Sequence, residues 1–213
     1  MKPLCCAIIF LVISNISNGQ VDSVKSKVVW GVNVGSLLSQ ASEGFNYYIY
    51  ATAKISKSFF ALGPVLGPKL KISRYNYSYS TNEQYKLNGF HFVYQINPNP
   101  VGKVFNFYFQ YQFVYLYYRD EGVEYIGGYY NNGVSTLEPY KSHRIDIESF
   151  IGYGFNLKFS KNFYLSQSVG IGLTYESTSV DMENPDLIDD NDGYFGPSLM
   201  LNASLGYKFI SKK

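Results

Sequence analysis

RIDIESFIGYGFNLKF, residues 144–159, is the stretch whose reading decides the fold. Ile145, Ile147, Ile151, Tyr153, Phe155, Leu157 and Phe159 fall on one parity, interrupted by Ser149; Arg144, Asp146, Glu148, Gly152, Gly154, Asn156 and Lys158 fall on the other. A period of two places these sets on opposite faces of a β-strand. The apolar face is long for a soluble strand. The opposite face mixes charges with glycine, as a narrow polar lumen would.

The same code recurs downstream. From Phe163 to Glu176, Phe163, Leu165, Val169, Ile171, Leu173 and Tyr175 oppose Ser166, Ser168, Gly170, Gly172, Thr174 and Glu176. From Phe195 to Phe209, Leu199, Leu201, Leu205, Tyr207 and Phe209 oppose Ser198, Asn202, Ser204, Gly206 and Lys208. Working outward to the start of the chain, alternation marks strands at VVWGVNVGSLL (28–38), at 45–55, from Phe59 toward Ile72, at YKLNGFHFVYQI (85–96) and at VFNFYFQYQFVYLYY (104–118). Pro64 and Pro68 sit inside the third of these, where a residue that cannot donate to the ladder predicts a bulge. Short joins at SKS, NPNPVG and SKN alternate with longer connections, above all Asp120–His143 and about Thr178–Gly193. The expected fold is all-β: an eight-stranded antiparallel transmembrane β-barrel in an up-and-down meander, with both chain ends on the short-turn, periplasmic side.

Bulk composition agrees. Aromatic residues make up 18%, with 22 Tyr and 16 Phe, and charged residues 16%, against about 25% in ordinary soluble domains. Mean hydropathy is nevertheless near neutral, at -0.12. Alternation produces this average when half of each strand meets lipid and half a polar interior. A net charge of +2, with no basic cluster interleaved with aromatics, argues against nucleic acid as a partner.

The opening residues, MKPLCCAIIFLVISNISNGQ, carry Lys2, an apolar run from Leu4 to Ile13 and then small polar residues. That run is too short for a membrane helix, which needs about 20 apolar residues. It reads as a signal peptide, residues 1–19, cleaved after Gly19, with residues 20–213 as one barrel domain. Cys5 and Cys6 precede most of the apolar run, which argues against a lipoprotein site. Both leave with the signal, so no disulfide, thiolate metal site or cysteine nucleophile is expected.

The signal peptide, the alternating strands, the loop asymmetry and the final LGYKFISKK together resemble the small outer-membrane β-barrel family, OmpA/OmpX-like in the broad sense, over about residues 27 to 210. The resemblance implies the outer membrane of a Gram-negative bacterium, surroundings of outer-membrane lipid and lipopolysaccharide, and no cofactor. It also implies an insertion signal, read by the barrel-insertion machinery, at Tyr207 and Phe209. Ile210 to Lys213 follow, where many members stop on the aromatic residue.

Four groups of residues are candidates for function. Inward-parity polar residues, Lys69, Lys71, His91, Gln110, Gln112, Asp146, Glu148 and Glu176, form the first. The interior of so small a barrel is filled by side chains, so Lys69 and Lys71 are expected to pair with Asp146 and Glu148 and plug it. A gated pore or a proton-sensitive site at His91 is the functional alternative. His91 and His143 are also the only imidazoles available to a lipid A hydrolase, with Ser142 beside His143. The acidic DDNDG, Asp189 to Gly193, resembles part of a calcium loop but has Ile188 at the first ligand position, so it reads as a solvated loop and no metal site is expected. Tyr125, Tyr129, Tyr130 and Tyr140 suit a recognition loop or extend an interfacial girdle.

The function expected is that of a non-enzymatic outer-membrane barrel, structural or acting through its external loops, with an envelope protein as candidate partner. The competing reading is a secreted lipocalin-like barrel around a small apolar ligand. That barrel would have to enclose the aromatic row from Phe105 to Tyr117, and no G-x-W signature marks its first strand.

Overall fold

The computed structural model describes residues 28–39, 45–72, 77–79, 85–97, 104–126, 136–182 and 190–209. Eight strands form the wall: β1 (Val28–Ser39), β2 (Asn46–Ile55), β3 (Ser58–Pro68), β6 (Tyr85–Ile96), β7 (Phe105–Ile126), β8 (Thr136–Lys158), β9 (Phe163–Met182) and β10 (Asp190–Lys208). Each pairs antiparallel with the next, and β10 returns to β1, closing the sheet into a barrel. The short β4 (Leu70–Ile72) and β5 (Tyr77–Tyr79) form a separate hairpin, with β4 packed against β7 and β8.

Register fixes the shape. The row of paired residues that starts at Ser39 runs through Met200, Gly170, Gly152, Gln110, Gln95, Phe59 and Lys54 and returns to β1 at Val29, ten residues lower. Such a stagger tilts the strands by about 40° and sets the lumen's width.

The faces are sorted as a membrane requires. Trp30, Ile49, Leu62, Phe107, Phe109, Ile151, Tyr153, Ile171, Leu199 and Leu205 are exposed on the outside, while Asn33, Thr52, Gln95, Asn106, Gln112, Ser166 and Ser204 are buried inside. A water-soluble ligand barrel has the opposite arrangement. The lipocalin-like alternative is therefore overturned: the row from Phe105 to Tyr117 faces outward. At the short-turn end the outer face carries an aromatic belt, with Phe60 on Tyr94, Phe105 on Phe155, and Phe163 on Tyr207 at ring separations of 5.0, 4.8 and 4.8 Å. Aromatic rings collect at such depths because one edge is apolar and the other meets headgroups.

The joins at this end are stitched by backbone bonds. Ser56, at φ 53°, takes the left-handed conformation needed to turn β2 into β3 in two residues. Asn97 N–H donates to Lys57 O at 3.0 Å, and Phe209 N–H to Trp30 O at 2.8 Å.

Two sequence expectations need correction at the opposite end. The expected connections at Asp120–His143 and Thr178–Gly193 are largely strand: β7 and β8 pair out to Ile126 with Thr136, and β9 and β10 out to Val180 with Asp190. Asp190 to Gly193 of the DDNDG segment thus belong to β10 instead of a solvated loop. Polar and charged residues beyond the apolar band had disguised a ladder that continues into water. β3, conversely, stops at Pro68 with a register shift between Val65 and Leu66. Lys69 follows its end, and Lys71 belongs to β4.

Trp30 is the only tryptophan and is 60% exposed on the outer face near the aromatic belt. Reconstituted in vesicles, its fluorescence is expected to be quenched more by lipids brominated near the glycerol than by lipids brominated near the chain end. Equal, negligible quenching by both would contradict a lipid-facing Trp30.

Candidate functional site

The lumen is built from a repeated pairing of an aromatic ring with a glycine directly across the sheet. Gly35 pairs with Tyr48, Gly122 with Tyr140, Gly154 with Tyr108, Gly172 with Phe150 and Gly206 with Tyr164. In each pair the ring lies over its glycine; a Cβ on Gly154 would stand 2.6 Å from Tyr108 Cζ, and one on Gly172 2.7 Å from Phe150 Cδ1. Glycine on a strand normally weakens it, but a cross-strand ring restores packing. These five glycines are therefore seats for rings, whereas Gly152 and Gly170 pair with each other, and a Cβ on Gly152 would meet the backbone of Val169 and Gly170.

Midway along the barrel these rings join a polar network. Tyr48 and Tyr50 stack with centroids 3.9 Å apart, and His91 stands edge-on to both. The Tyr50 hydroxyl contacts His91 Nδ1, and the Tyr48 hydroxyl donates to Asn202 Oδ1. Asn202 Nδ2 donates in turn to Gln112 Oε1 at 3.3 Å, with Gln112 lying beside His91. Side chains of β2, β6, β7 and β10 thus meet across the lumen. Tyr48, Tyr50, His91 and Gln112 are at most 2% exposed. Toward the short turns, the Tyr108 hydroxyl bonds Ser166 Oγ at 2.7 Å and Tyr164 donates to Asn33.

Toward the long-loop end lies a charged cluster. Arg144 Nε donates to Asp146 Oδ1 at 2.7 Å, and its Nη2 approaches Glu176 Oε2 at 3.1 Å. Arg144 and Asp146 are buried, and fully buried Glu148 lies next to them, facing Ser39. Above, Tyr140 donates to Asp120 Oδ2 at 2.9 Å. The inner face remains buried up to Tyr118, Tyr140 and Val180.

His91, Gln110, Gln112, Asp146 and Glu148 are buried on the lumen side, and Glu176 borders it. The described cation bridging Asp146 and Glu176 is Arg144, which shares their parity and which the lysine-centred expectation passed over. Lys69 lies past the end of β3, and the side chain of Lys71 falls outside the described residues. Tyr140 is 4% exposed, so its expected place in a recognition loop is corrected: it is a lumen residue. Tyr125 pairs with Leu137 in the outer hairpin through its backbone; Tyr129 and Tyr130 lie outside the described residues. Tyr207 and Phe209 pack edge-to-face at 5.4 Å at the belt. His143 occupies the outward parity of β8, so the two imidazoles lie on opposite faces of the sheet. Among the described residues no group of His, Cys, Asp and Glu is arranged to hold a metal ion.

Comparison with known proteins adds similarity of shape. No family model and no curated protein matches the sequence. Among solved structures, the N-terminal β-barrel domain of OprF from Pseudomonas aeruginosa is similar at 11% identity and a TM-score of 0.44, covering 86% of this chain and 98% of that one. A major outer membrane protein from Thermus thermophilus gives 11% and 0.41, with coverages of 85% and 99%. The outer membrane protease OmpT from Escherichia coli gives 9% and 0.42, with coverages of 85% and 96%. The closed ring of strands is established by its own register, independently of these.

Two substitutions probe the lumen. Gly154→Ala is expected to press on the Gln167 carbonyl and the Tyr108 ring together and cost about 1–3 kcal/mol by overpacking, read as a lower unfolding temperature in detergent. Arg144→Gln leaves Asp146 and Glu176 without the guanidinium they share. Breaking a buried pair this way costs about 3–5 kcal/mol, and urea unfolding in vesicles should show the loss; a midpoint unchanged from the parent would show that the pair contributes nothing.

Proposed function

We infer that the protein is a non-enzymatic outer-membrane barrel of a Gram-negative envelope. In this reading it reaches the membrane after loss of residues 1–19, inserts through the aromatic signal at Tyr207 and Phe209, and passes no solute. It acts through the surface raised beyond the membrane, as a structural element or an accessory subunit of an envelope complex. Lipid and lipopolysaccharide surround it.

The observation that carries this reading is the contact of side chains across the lumen at Tyr48, Tyr50, His91, Gln112 and Asn202. A pore needs a continuous water path, and here one wall hydrogen-bonds to another. Further support comes from the uneven wall. Strands β7 to β10 run 19 to 23 residues, while β1, β2, β3 and β6 run 10 to 12. About 9–11 tilted residues suffice to span a bilayer, so the longer half stands clear of it. On this raised half Val123 and Leu137 are 58% and 55% exposed, apolar contacts available to a protein partner.

In planar bilayers the protein is expected to give no steady single-channel conductance, whereas Tyr48→Ala/Tyr50→Ala should admit small ions. A stable conductance from the unaltered chain would overturn the closed-lumen reading. Extraction in mild detergent followed by sizing separates the two roles: a stoichiometric companion identifies an accessory subunit, and a lone detergent-bound monomer a self-sufficient surface protein.

A further inference from the structure

The two ends of the barrel carry opposite charge. On the described strands no carboxylate lies between the level of Glu148 and the short-turn end; Asp120, Asp146, Glu148, Glu176 and Asp181 all stand at that level or beyond it toward the long connections. At the short-turn mouth three lysines occupy inward-parity positions on three different strands. Lys158 and Lys208 are the last residues of β8 and β10, and Lys54 is the penultimate residue of β2.

Register brings them around one opening. Lys208 pairs with Gly31, which pairs with Thr52, one inward step from Lys54; Lys158 pairs with Tyr164, which pairs with Gly206, one inward step from Lys208. All three are half-buried. The Lys208 ammonium lies over the Tyr164 ring, 4.6 Å from its centroid. It feels the charges of both Lys54 and Lys158, and Lys54 feels that of Lys158. Tyr164, tied to Asn33, forms a floor beneath them.

Lysines at a strand end can turn their long stems toward bulk water and separate. Here register sets three such stems around one opening, and the Lys208 ammonium is turned over the Tyr164 ring. We propose that this mouth is a binding site for a phosphate group, held by Lys54, Lys158 and Lys208 above Tyr164. A phosphate dianion offers several acceptor oxygens to ammonium groups converging from different directions, and lysine serves as a compact point charge for it. Two sources have this chemistry: free phosphate entering from the aqueous side, and the headgroup of a phospholipid reaching around the rim.

The test uses the refolded chain in non-ionic detergent at neutral pH and constant ionic strength. Calorimetric titrations with inorganic phosphate and with a short-chain phosphatidylglycerol are made on the parent, on Lys54→Gln/Lys208→Gln and on Lys57→Gln/Lys161→Gln. The last pair removes the same charge from the neighbouring turns. Saturable binding of at least one ligand to the parent is expected, weakened tenfold or more in the mouth variant and retained by the turn variant. Binding of free phosphate identifies a soluble anion site, and binding of the phospholipid alone a headgroup site. In thermal unfolding, the bound ligand should raise the parent's midpoint and leave that of the mouth variant unchanged. The proposal is overturned by no saturable binding of either ligand, by undiminished binding in the mouth variant, or by equal weakening in both variants.

Discussion

Every backbone donor and acceptor that crosses the hydrocarbon core must be paired within the protein, because lipid offers no substitute. Closing β10 onto β1 meets that demand with no free edge, and the rest of the structure depends on the closure. Once eight strands close with a stagger of ten residues, the diameter is no longer adjustable. Side chains must then fill whatever space remains, from whichever strands supply them.

The ring-over-glycine pairs are the answer to that fixed space. Two large residues opposite each other on the inner face would collide across so narrow a lumen, and two small ones would leave a void. Tyr108 over Gly154 and Phe150 over Gly172 give each ring a seat. The tyrosines add a second property, since their hydroxyls reach over the intervening strand to Asn33, Ser166 and Asn202 and satisfy polar atoms that would be costly to bury alone. Arg144 serves the same end higher up, where its planar fork engages Asp146 and Glu176 together.

Parity sorted every strand into two faces, and the charges and glycines of one set argued that it lines the lumen, but which face is inside was decided by the burial of the polar set. Ile151 and Phe107 were thus set apart from Gln112 and Glu148, and exposure of the first pair with burial of the second fixes the orientation. Strand ends were less legible. From Asp120 to Ile126 and from Thr136 to Asp146 polar residues occupy both faces of the sheet, so alternation loses its contrast while the ladder persists. Tyr140 shows the consequence, since a loop composition masked a strand whose inner face is buried. The partners of the inward charges were illegible for another reason. Level depends on the stagger, and the stagger depends on where each strand ends; the bulge near Leu66 and the stop at Pro68 removed Lys69 from the barrel strand. Phe150 over Gly172 could have been found, since the short turn at Ser160–Asn162 fixes the β8–β9 register, but the Tyr–Gly pairs lie in hairpins closed by the long connections, whose register the sequence leaves open.

The uneven wall and the uneven charge follow the same axis. Outward from Glu148 the described strands mix carboxylates with Arg119, Lys141 and Arg144, and four of them climb past their neighbours into water. Toward the short turns the charges on these strands are lysines alone, set behind an aromatic belt at the depth of the headgroups. A sheet closed only to satisfy its backbone would not require this polarity, because strand pairing is indifferent to which end carries which charge. The middle of the lumen is bridged by Tyr48, Asn202 and Gln112, which sets the two ends apart as chemically distinct surfaces. The barrel therefore presents a mixed-charge, partly apolar wall to one compartment and a basic mouth to the other, and each must be understood by what it can bind.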